Sequence, residues 1–315
     1  MRYLLIDFGA SFIKTMIYDS SDDKHGNMVS TVSPFQGSNI ISKCDLFRIL
    51  EEIVEQHLPV EAIVVCSILG GGWIGDTYYS WKSIVAAPKK YCLIGGLFAD
   101  EPTYHLHCHH GGDVDRLLPI GFVKGVVVYS PLGDTNCVVE SLDLQEDEYV
   151  INIGTGSQVI HRTESGINIV KFFPAGRAFL VFEKFFAAFG VDFFEQLDRI
   201  TEQQVYDSNL TVDLNVFPQA KDFLGGGSIQ GILEEGFTLT NLLGSILRCF
   251  VLQYASHLIL PTKTKIRLVG GIPNKLPILK QLFSHYYTGK LIMNSNSTVS
   301  NTHVGMIKLI GRYLP

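Results

Sequence analysis

The chain has 315 residues, of which 46% are hydrophobic and 18% are charged, and its formal net charge is −6 at pH 7. This length allows two domains with a large core, and the apolar composition is typical of central sheets covered on both faces. The acidic balance without a basic stripe argues against non-specific binding of nucleic acid, and no apolar run approaches the length of a membrane span.

The first predicted element is a β-hairpin over residues 3–18, Y-L-L-I-D-F-G-A-S-F-I-K-T-M-I-Y. Asp7 stands where the first strand opens into the turn, and Gly9 lets the backbone approach a bulky anion closely. Ser11 and Lys14 offer a hydroxyl and a positive charge, both suited to phosphate oxygens. A turn of this kind is common in any hairpin, so its interpretation as a phosphate loop depends on related loops further along.

The next elements are a helix, a loop-rich region and two buried strands. L-F-R-I-L-E-E-I-V-E-Q-H has helical spacing with Asp45 as its expected cap, and A-I-V-V-C-S predicts a buried strand. Residues 73–118 are expected to be irregular because they are rich in Gly, Pro, Tyr and His. G-V-V-V-Y-S-P-L then predicts another buried strand, which leads into Gly133-Asp134-Thr135-Asn136.

Two later loops repeat the logic of the first hairpin. E-Y-V-I-N-I is followed by Gly154, Thr155 and Gly156, and K-I-R-L-V by G-G-I-P-N and a helical pattern. None of the three loops matches the lysine-bearing P-loop or the G-x-G-x-x-G pattern. Two phosphate-type hairpins and a strand–Gly-Gly–helix element predict a duplicated nucleotide-binding fold that closes around ATP.

The remaining predicted elements are helical. The Phe-rich stretch K-F-F-P-A-G-R-A-F-L-V-F-E-K-F-F-A-A-F-G is expected to pack between layers, since it lacks the cationic face of a membrane-surface helix. T-L-T-N-L-L-G-S-I-L-R-C-F-V-L-Q-Y predicts a long helix, and V-G-M-I-K-L-I-G-R-Y-L predicts a closing one.

Four segments, in this order, resemble the FGGY carbohydrate kinases of the actin/hexokinase/Hsp70 ATPase superfamily: D-F-G-A-S-F-I-K, P-L-G-D-T-N, N-I-G-T-G-S-Q and L-V-G-G-I-P-N-K-L-P-I-L-K-Q. The C-terminal half looks most like sedoheptulokinases, through F-F-P-A-G-R-A, F-L-G-G-G-S-I-Q-G-I and F-T-L-T-N-L-L. The resemblance implies an α/β fold of two actin-like (ribonuclease H-like) domains with an ATP cleft between them. We expect residues 1–143 to form the sugar side and residues 144–315 the nucleotide side.

The resemblance also implies ATP and Mg²⁺ as cofactors and assigns roles to individual residues. Asp134 falls on the catalytic base, and Asp7 on the residue that organises Mg²⁺ through water. Ordinary structural alternatives remain for both, a turn aspartate and a turn cap respectively. The implied nucleotide contacts are Gly9, Ser11 and Lys14 in the first hairpin, Gly154, Thr155 and Gly156 in the second, and Gly270, Gly271 and Asn274 at the adenosine.

The sugar-contacting motifs of the family are altered in this chain. Its S-x-Q-M-H-G stretch falls on residues 66–71 without the glutamine or the histidine, and its T-W-x-D element falls on residues 80–83 without the acid. Asp76, Trp81 and Lys82 are the expected replacements, together with Asp134, as substrate contacts. Trp81 is equally consistent with a packing aromatic.

The segment H-L-H-C-H-H-G-G-D, from His105 to Asp113, allows three interpretations. Alternating histidines on a strand share one face and are good zinc ligands, although the spacing matches no standard zinc pattern. Neutral imidazoles are also suited to the rim of a polyol-binding cleft. Surface histidines without a role are the third interpretation.

The resulting hypothesis is an ATP-dependent kinase that phosphorylates a hydroxyl of a ketose or related polyol, of the sedoheptulose, xylulose or ribulose type. The alternative is a catalytically degenerate regulatory protein of the same fold that binds nucleotide or sugar. The expected partner is a small-molecule sugar or polyol, with no nucleic acid and no membrane, and a homodimer is a possible assembly. The six cysteines form no C-x-x-C pair, and the opening residues carry no signal-peptide h-region, so a cytoplasmic location is expected.

Overall fold

The computed structural model describes residues 1–36, 38–67, 71–80, 93–98, 114–129, 132–145, 148–154, 156–164, 166–174, 176–216, 226–257, 264–287, 290–293 and 299–314. The chain divides into two compact units: unit 1 is Met1–Asp143 with Thr298–Pro315, and unit 2 is Leu144–Ser297. Within the described ranges, no helix combines the length and the apolar character needed to cross a membrane.

Unit 1 is built around a mixed sheet. Its strands are β1 (Arg2–Phe8), β2 (Phe12–Asp19), β3 (Lys24–His25), β4 (Val29–Val32), β5 (Ile40–Ser42), β6 (Ala62–Ser67), β7 (Gly71–Ile74), β8 (Thr77–Ser80), β9 (Pro119–Val123), β10 (Val126–Tyr129) and β11 (Leu132–Gly133). Its helices in this part of the chain are α1 (Lys43–His57), α2 (Gly95–Phe98) and α3 (Asp134–Leu142), and Pro34–Gln36 forms one 3-10 turn.

The main sheet of unit 1 runs in the order β3-β2-β1-β6-β10-β9. Strand β1 pairs antiparallel with β2, as the predicted opening hairpin requires, and parallel with β6. Strand β6 also pairs parallel with β10 and with the short β11. The predicted strand A-I-V-V-C-S is therefore the centre of the sheet, and all six of its residues are buried.

The apolar run of β1 is buried on both faces because the sheet is covered on both sides. Leu4 and Ile6 face one cluster, which includes Leu50 of α1. Tyr3 and Leu5 face the other cluster, on the opposite side of the strand. This explains why β1 reads as a nearly continuous hydrophobic segment rather than an alternating one.

Two details of unit 1 differ from the sequence-based predictions. Helix α1 is capped by Ser42, whose Oγ accepts the Asp45 N–H at 3.0 Å, so Asp45 lies inside the first turn and is not the cap. The region expected to be irregular contains the hairpin β7–β8, which turns at Gly75-Asp76 with Gly75 at φ +56°. A glycine–aspartate pair between two short β-prone runs is a hairpin signal that composition alone obscured.

Unit 2 contains a second sheet. Its strands are β12 (Glu148–Ile153), β13 (Gly156–Thr163), β14 (Gly166–Pro174), β15 (Thr211–Asp213), β16 (Ser228–Gln230), β17 (Lys265–Val269) and β18 (Lys290–Met293). Its helices are α4 (Gly176–Ala187), α5 (Phe193–Asp198), α6 (Glu202–Asp207), α7 (Leu239–His257), α8 (Gly271–Lys275) and α9 (Ile278–Tyr286).

The sheet of unit 2 repeats the topology of unit 1. Its order is β14-β13-β12-β17-β18, in which β12, β13 and β14 pair antiparallel while β17 and β18 run parallel to β12. The equivalent path in unit 1 is β3-β2-β1-β6-β10. Both sheets therefore have a glycine-containing turn between the two strands that come first in the chain, β1 and β2 in unit 1 and β12 and β13 in unit 2.

The Phe-rich stretch packs largely as predicted. Phe179 and Phe186 of α4 are buried in the core of unit 2, where Phe179 lies edge-on to Phe250 of α7 at 5.0 Å between ring centroids. Phe185 and Phe189 are exposed, so α4 buries one face in the core and turns another towards solvent.

The closing helix, α10 (Asn301–Tyr313), lies in unit 1, although the predicted domain division places it with residues 144–315. It packs directly on α3, where a Cβ on Gly305 would lie 1.8 Å from the carbonyl oxygen of Cys137. Lys308 Nζ also pairs with Asp143 Oδ2 at 2.8 Å. The chain thus returns to its first unit, which a linear division of the sequence does not anticipate.

Candidate functional site

Asp7 lies near the carboxyl end of β1 and is only 7% exposed. Its Oδ2 accepts a hydrogen bond from Thr302 Oγ1 at 3.1 Å and lies 3.6 Å from Lys14 Nζ on the neighbouring strand. Its Oδ1 accepts from Cys66 Sγ at 3.4 Å, and burial raises the pKa of that thiol well above its ordinary value. The Asp7 carboxylate is therefore held by two hydrogen bonds and one ion pair, which come from three different elements.

Asp134 is the first residue of α3 and follows β11 directly. The strand register brings it towards Asp7, because Cys66 of β6 pairs with Asp7 on one side and with Leu132 on the other. The carboxyl ends of three parallel strands meet here, as they do at many ligand sites in α/β sheets. Thr135 donates to Asp134 Oδ1 from its backbone N–H at 2.7 Å and from its hydroxyl at 3.2 Å.

The local environment shifts Asp134 towards the protonated form. Burial raises the pKa of Asp134 to about 6, and the negative charge of Asp7 adds to the rise. The hydrogen bonds from Thr135 and the positive charge of Lys14 act in the opposite direction. A carboxylate whose pKa lies close to neutrality is well suited to accept a proton in a reaction near pH 7.

His303 lies beside these charged groups on α10 and is fully buried. Its Nδ1 lies 2.6 Å from Ser300 Oγ, and Ser300 is the N-cap of the helix. Burial lowers the pKa of His303 to about 4, although the negative charge of Asp7 offsets part of that effect. The imidazole is therefore neutral at pH 7.

Replacing His303 with glutamine is expected to remove a source of acid sensitivity from the fold. The pKa of His303 is about 4 in the folded protein against an ordinary 6.5, so between these values only the unfolded chain takes up a proton. The resulting contribution to stability is present above pH 6.5 and lost as the pH falls to about 4, at most roughly 3 kcal/mol. Urea unfolding in EDTA at pH 7.5 and pH 4.5 measures this loss.

The exposed His25 supplies the control for that measurement. His25→Gln should keep the acid loss of the native protein, because His25 is exposed in the short strand β3 and its replacement leaves the buried His303 in place. Equal acid losses in the native protein and in His303→Gln would contradict the prediction.

The first hairpin is tightly closed at Gly9. Its N–H donates to the carbonyl oxygen of Phe12 at 3.0 Å, and a Cβ at this position would lie 2.7 Å from that same oxygen. Ser11 is buried in the turn, with its own carbonyl accepting the Ser33 N–H at 3.0 Å. Lys14 is 34% exposed at its side chain, so it reaches both Asp7 and solvent.

In unit 2, the second hairpin turns between β12 and β13. The N–H of Gly154 donates to the carbonyl oxygen of Gly156 at 2.9 Å, and the carbonyl of Gly154 accepts the Gly176 N–H at 2.8 Å. The start of α4 therefore lies against this turn. Thr155, the predicted phosphate contact at its tip, lies outside the described residues.

Gly270 is the N-cap of α8 at the end of β17 and adopts φ +104°. A Cβ there would lie 2.4 Å from the carbonyl oxygen of Ile153, at the end of β12. Only glycine fits this close approach of two strand ends. Gly271 and Asn274 on α8 are exposed, and a Cβ on Gly271 would meet nothing within 4 Å.

The carboxylates of unit 1 suit Mg²⁺, which needs few protein ligands, better than they suit a metal ion held entirely by protein side chains. Among the residues that the structure describes, no group of three or more His, Cys, Asp or Glu side chains is placed to hold a metal ion. Mg²⁺ keeps several waters and is usually bound by one or two carboxylates together with substrate phosphates. Asp7 and Asp134 provide oxygen donors of this kind.

The predicted sugar contacts are only partly within the described chain. Asp76 lies exposed in the β7–β8 turn, on a different sheet from Asp7. Ser67 of the altered sugar motif is fully buried at the end of β6. Trp81, Lys82 and the histidine segment 105–110 lie outside the described residues.

Sequence reasoning missed the contribution of α10. Thr302 and His303 are placed beside Asp7 although almost the whole chain separates them from it, and no local motif marks them. The S-N-T-H start of the closing helix contains a capping serine, which is a usable signal for the helix boundary. It gives no indication of what that helix end contacts.

Comparison with solved structures identifies the fold. Ligand-bound xylulose kinase from Lactobacillus acidophilus is 13% identical with a TM-score of 0.64, over 99% of this chain and 90% of that chain. Gluconate kinase from Lactobacillus acidophilus is 12% identical with a TM-score of 0.64, over 100% and 90% of the two chains. Glycerol kinase from Plasmodium falciparum with ADP is 9% identical with a TM-score of 0.58, over 98% and 88%.

No protein-family model and no curated protein matches the sequence. The structural likenesses, all at low identity, establish the fold, which this chain shares with those xylulose, gluconate and glycerol kinases. The predicted α/β fold class with two actin-like domains is thereby confirmed.

Proposed function

We propose that this protein is an ATP-dependent carbohydrate kinase that transfers the γ-phosphate to a hydroxyl of a ketose or related polyol, of the sedoheptulose, xylulose or ribulose type. The observation that carries the proposal is the Asp134–Asp7 pair at the strand ends of unit 1, in which Asp134 has a pKa of about 6. Sugar kinases with the same fold support the reaction class.

Asp134 acts as the general base in this proposal. Its carboxylate accepts the proton of the attacking sugar hydroxyl, and its raised pKa makes it a stronger base than an exposed aspartate. The hydrogen bonds from Thr135 orient Oδ1, which leaves Oδ2 to face the substrate hydroxyl. Phosphoryl transfer otherwise depends mainly on positioning and charge stabilisation.

Asp7 and Lys14 manage charge at the phosphates. Asp7 would hold a hydrated Mg²⁺ ion, and Lys14 pairs with phosphate oxygens as well as with Asp7. The ion would supply positive charge to offset the charge that develops on the transferred phosphate. Gly9 lets the backbone of the hairpin approach the phosphates closely, and Ser11 contributes a hydroxyl of the kind suited to phosphate oxygens.

Unit 2 contains the other residues that the family resemblance assigns to nucleotide binding. Gly154, Thr155 and Gly156 bind the β- and γ-phosphates through the second hairpin, and α8 binds the adenosine through Gly271 and Asn274. Gly270 has a supporting role, because the close approach of its backbone to Ile153 fixes where α8 begins.

The altered sugar motif favours a second candidate function, a regulatory protein of this fold that binds nucleotide or sugar without catalysis. Ser67 is fully buried, and the glutamine and histidine of the family pattern are absent from residues 66–71. A polar ligand whose hydroxyls lose their partners binds much more weakly. The retained pair of acids supports the kinase, since a binding protein needs no base.

An ADP-release assay with Mg·ATP is expected to show turnover that depends on a sugar. The panel comprises sedoheptulose, xylulose, ribulose, glycerol and heptoses, and the control omits Mg²⁺ in the presence of EDTA. At least one ketose or polyol should raise ADP release about 10-fold or more above the sugar-free rate, and EDTA should abolish it. ADP binding without sugar-dependent turnover would overturn the kinase in favour of the regulatory protein.

A further inference from the structure

The hydroxyl of Thr302 makes a buried contact with the Asp7 carboxylate. Thr302 is 7% exposed on α10, and its Oγ1 donates to Asp7 Oδ2 at 3.1 Å. Lys14 Nζ approaches the same oxygen at 3.6 Å, so the donor from α10 is the shorter of these two contacts. A hydroxyl from the far end of the chain thus contacts the Asp7 carboxylate directly.

A hydrogen-bonded chain holds the Thr302 hydroxyl in place. Ser300 Oγ lies 3.1 Å from Thr302 Oγ1 and 2.6 Å from His303 Nδ1. Thr302 has one hydroxyl proton, and it donates that proton to Asp7. Ser300 Oγ therefore lies between Thr302 Oγ1 and His303 Nδ1, and it holds the threonine hydroxyl beside the buried imidazole.

Ser300, Thr302 and His303 form a hydrogen-bonded group behind Asp7, the carboxylate proposed to organise the metal ion. Groups that hydrogen-bond to such carboxylates fix their orientation, and removing them typically weakens metal affinity or activity by about 10–100-fold. Asp7 Oδ2 contacts the ammonium group of Lys14 and the hydroxyl of Thr302. Of these two residues, Thr302 belongs to a helix that packs directly on α3. A flexible, partly exposed lysine cannot replace it in that role.

We propose that Thr302 is a positioning residue for Asp7, and that its hydroxyl sets the orientation in which the carboxylate receives the hydrated divalent cation of the metal–nucleotide complex. The inference rests on the proposed function of Asp7. It makes the start of α10 part of the phosphate end of unit 1 rather than only a packing element.

The test measures Mn²⁺ binding to the protein–ADP complex by electron paramagnetic resonance of free Mn²⁺, which requires no turnover. Thr302→Val keeps the shape and removes the hydroxyl, and it is expected to weaken Mn²⁺ binding about 10–100-fold. Thr302→Ser restores the hydroxyl and should bind within about threefold of the native protein. Thr302→Ala serves if the valine variant does not fold.

Thr15→Val is the matched control. Thr15 is as buried as Thr302 and lies in the same unit, but its hydroxyl bonds His57 Nε2 at 3.2 Å and not Asp7. It should lose stability and keep Mn²⁺ affinity. In the activity assay, Thr302→Val should raise the Mg²⁺ concentration for half-maximal rate by a similar factor, again with rescue by serine.

The outcomes separate the inference from the proposed function. If the native protein binds no Mn·ADP, the proposed function and the role of Thr302 both fail. If the native protein binds it and Thr302→Val binds equally well, only the positioning role is overturned. Equal weakening in Thr302→Val and Thr15→Val would indicate a general loss of structure and would overturn it too.

Discussion

Asp134→Asn is expected to abolish phosphoryl transfer and to stabilise the folded protein above pH 6. Loss of a general base lowers the rate by about 10²–10⁴-fold, while an amide of the same shape leaves nucleotide binding intact. The stability gain follows from the pKa of Asp134, which is about 6 in the folded protein against an ordinary 3.8. Ionisation above pH 6 therefore works against folding, by up to about 3 kcal/mol.

The sign of this effect reverses the usual behaviour of an aspartate. Here the folded protein holds the proton more tightly, so the destabilisation is complete above pH 6 and disappears as the pH falls towards 3.8. Urea unfolding in EDTA should show Asp134→Asn to be more stable than the native protein at pH 8 and equal to it at pH 4. As the pH falls from about 6 to about 4, protonation of His303 lowers the stability of the fold while protonation of Asp134 raises it. Asp134→Asn removes the second effect, so the loss of stability that His303 causes in acid should be larger in this variant than in the native protein.

Asp143→Asn is the matched control for Asp134→Asn. Asp143 ends the same helix in the left-handed conformation, at φ 47°, which asparagine adopts readily, and its side chain is 79% exposed. It should leave turnover unchanged, because it removes only an exposed ion pair with Lys308 at the other end of α3 from Asp134. Unchanged turnover in Asp134→Asn with weakened ATP binding would contradict the base role, and so would the absence of a stability gain at pH 8.

Much of the fold could be predicted from the sequence because its strands carry strong local signals. The continuous apolar run of β1 and the alternation around the Gly9 turn predict the hairpin, and the structure has the same strands in register from Arg2–Asp19 to Phe8–Ile13. The long helix α7 follows from its 3.6-residue periodicity. The hairpin β7–β8 is not predicted by composition, because the glycines and tyrosines of this region are also typical of irregular loops. The position of Gly75 between two short strands is the feature that indicates the turn.

The site could be predicted only as far as each residue sits in a local motif. Asp7 and Asp134 follow strands directly, and that position indicates their role without any knowledge of the rest of the chain. Thr302 and His303 carry no such signal, because their proximity to Asp7 depends on how α10 packs against unit 1. Long-range packing of this kind depends on three-dimensional complementarity that periodicity does not encode.

Gly305→Ala is expected to cause the largest loss of stability among single-methyl changes in α10. A Cβ there would lie 1.8 Å from the carbonyl oxygen of Cys137 and 2.5 Å from its carbonyl carbon, and backbone atoms cannot rotate away. The helices α3 and α10 must therefore separate. Overpacking of a well-packed core usually costs about 1–3 kcal/mol and occasionally more, and the rigidity of this contact predicts the upper end.

Separation of the two helices should also weaken the ion pairs between them and the approach of Thr302 to Asp7. Lys308 pairs with Asp143 at 2.8 Å and Arg312 with Glu140 at 3.0 Å, so both pairs report on the spacing of α3 and α10. Gly305→Ala is therefore expected to lose Mn²⁺ affinity for the protein–ADP complex in addition to stability. The loss of stability and the loss of Mn²⁺ affinity would both follow from the separation of α10 from α3.

Gly311→Ala provides the control in the same helix. A Cβ on Gly311 would meet nothing within 4 Å, and alanine is the better helix former by about 1 kcal/mol, so this variant should be slightly more stable than the native protein. Thermal and urea unfolding of both variants, with Mn²⁺ binding alongside, compare one added methyl group at a closed and an open position of α10. If Gly305→Ala matched Gly311→Ala in stability, α10 would not be packed on α3 as closely as the structure has it. The positioning role of Thr302 would then lose its structural basis.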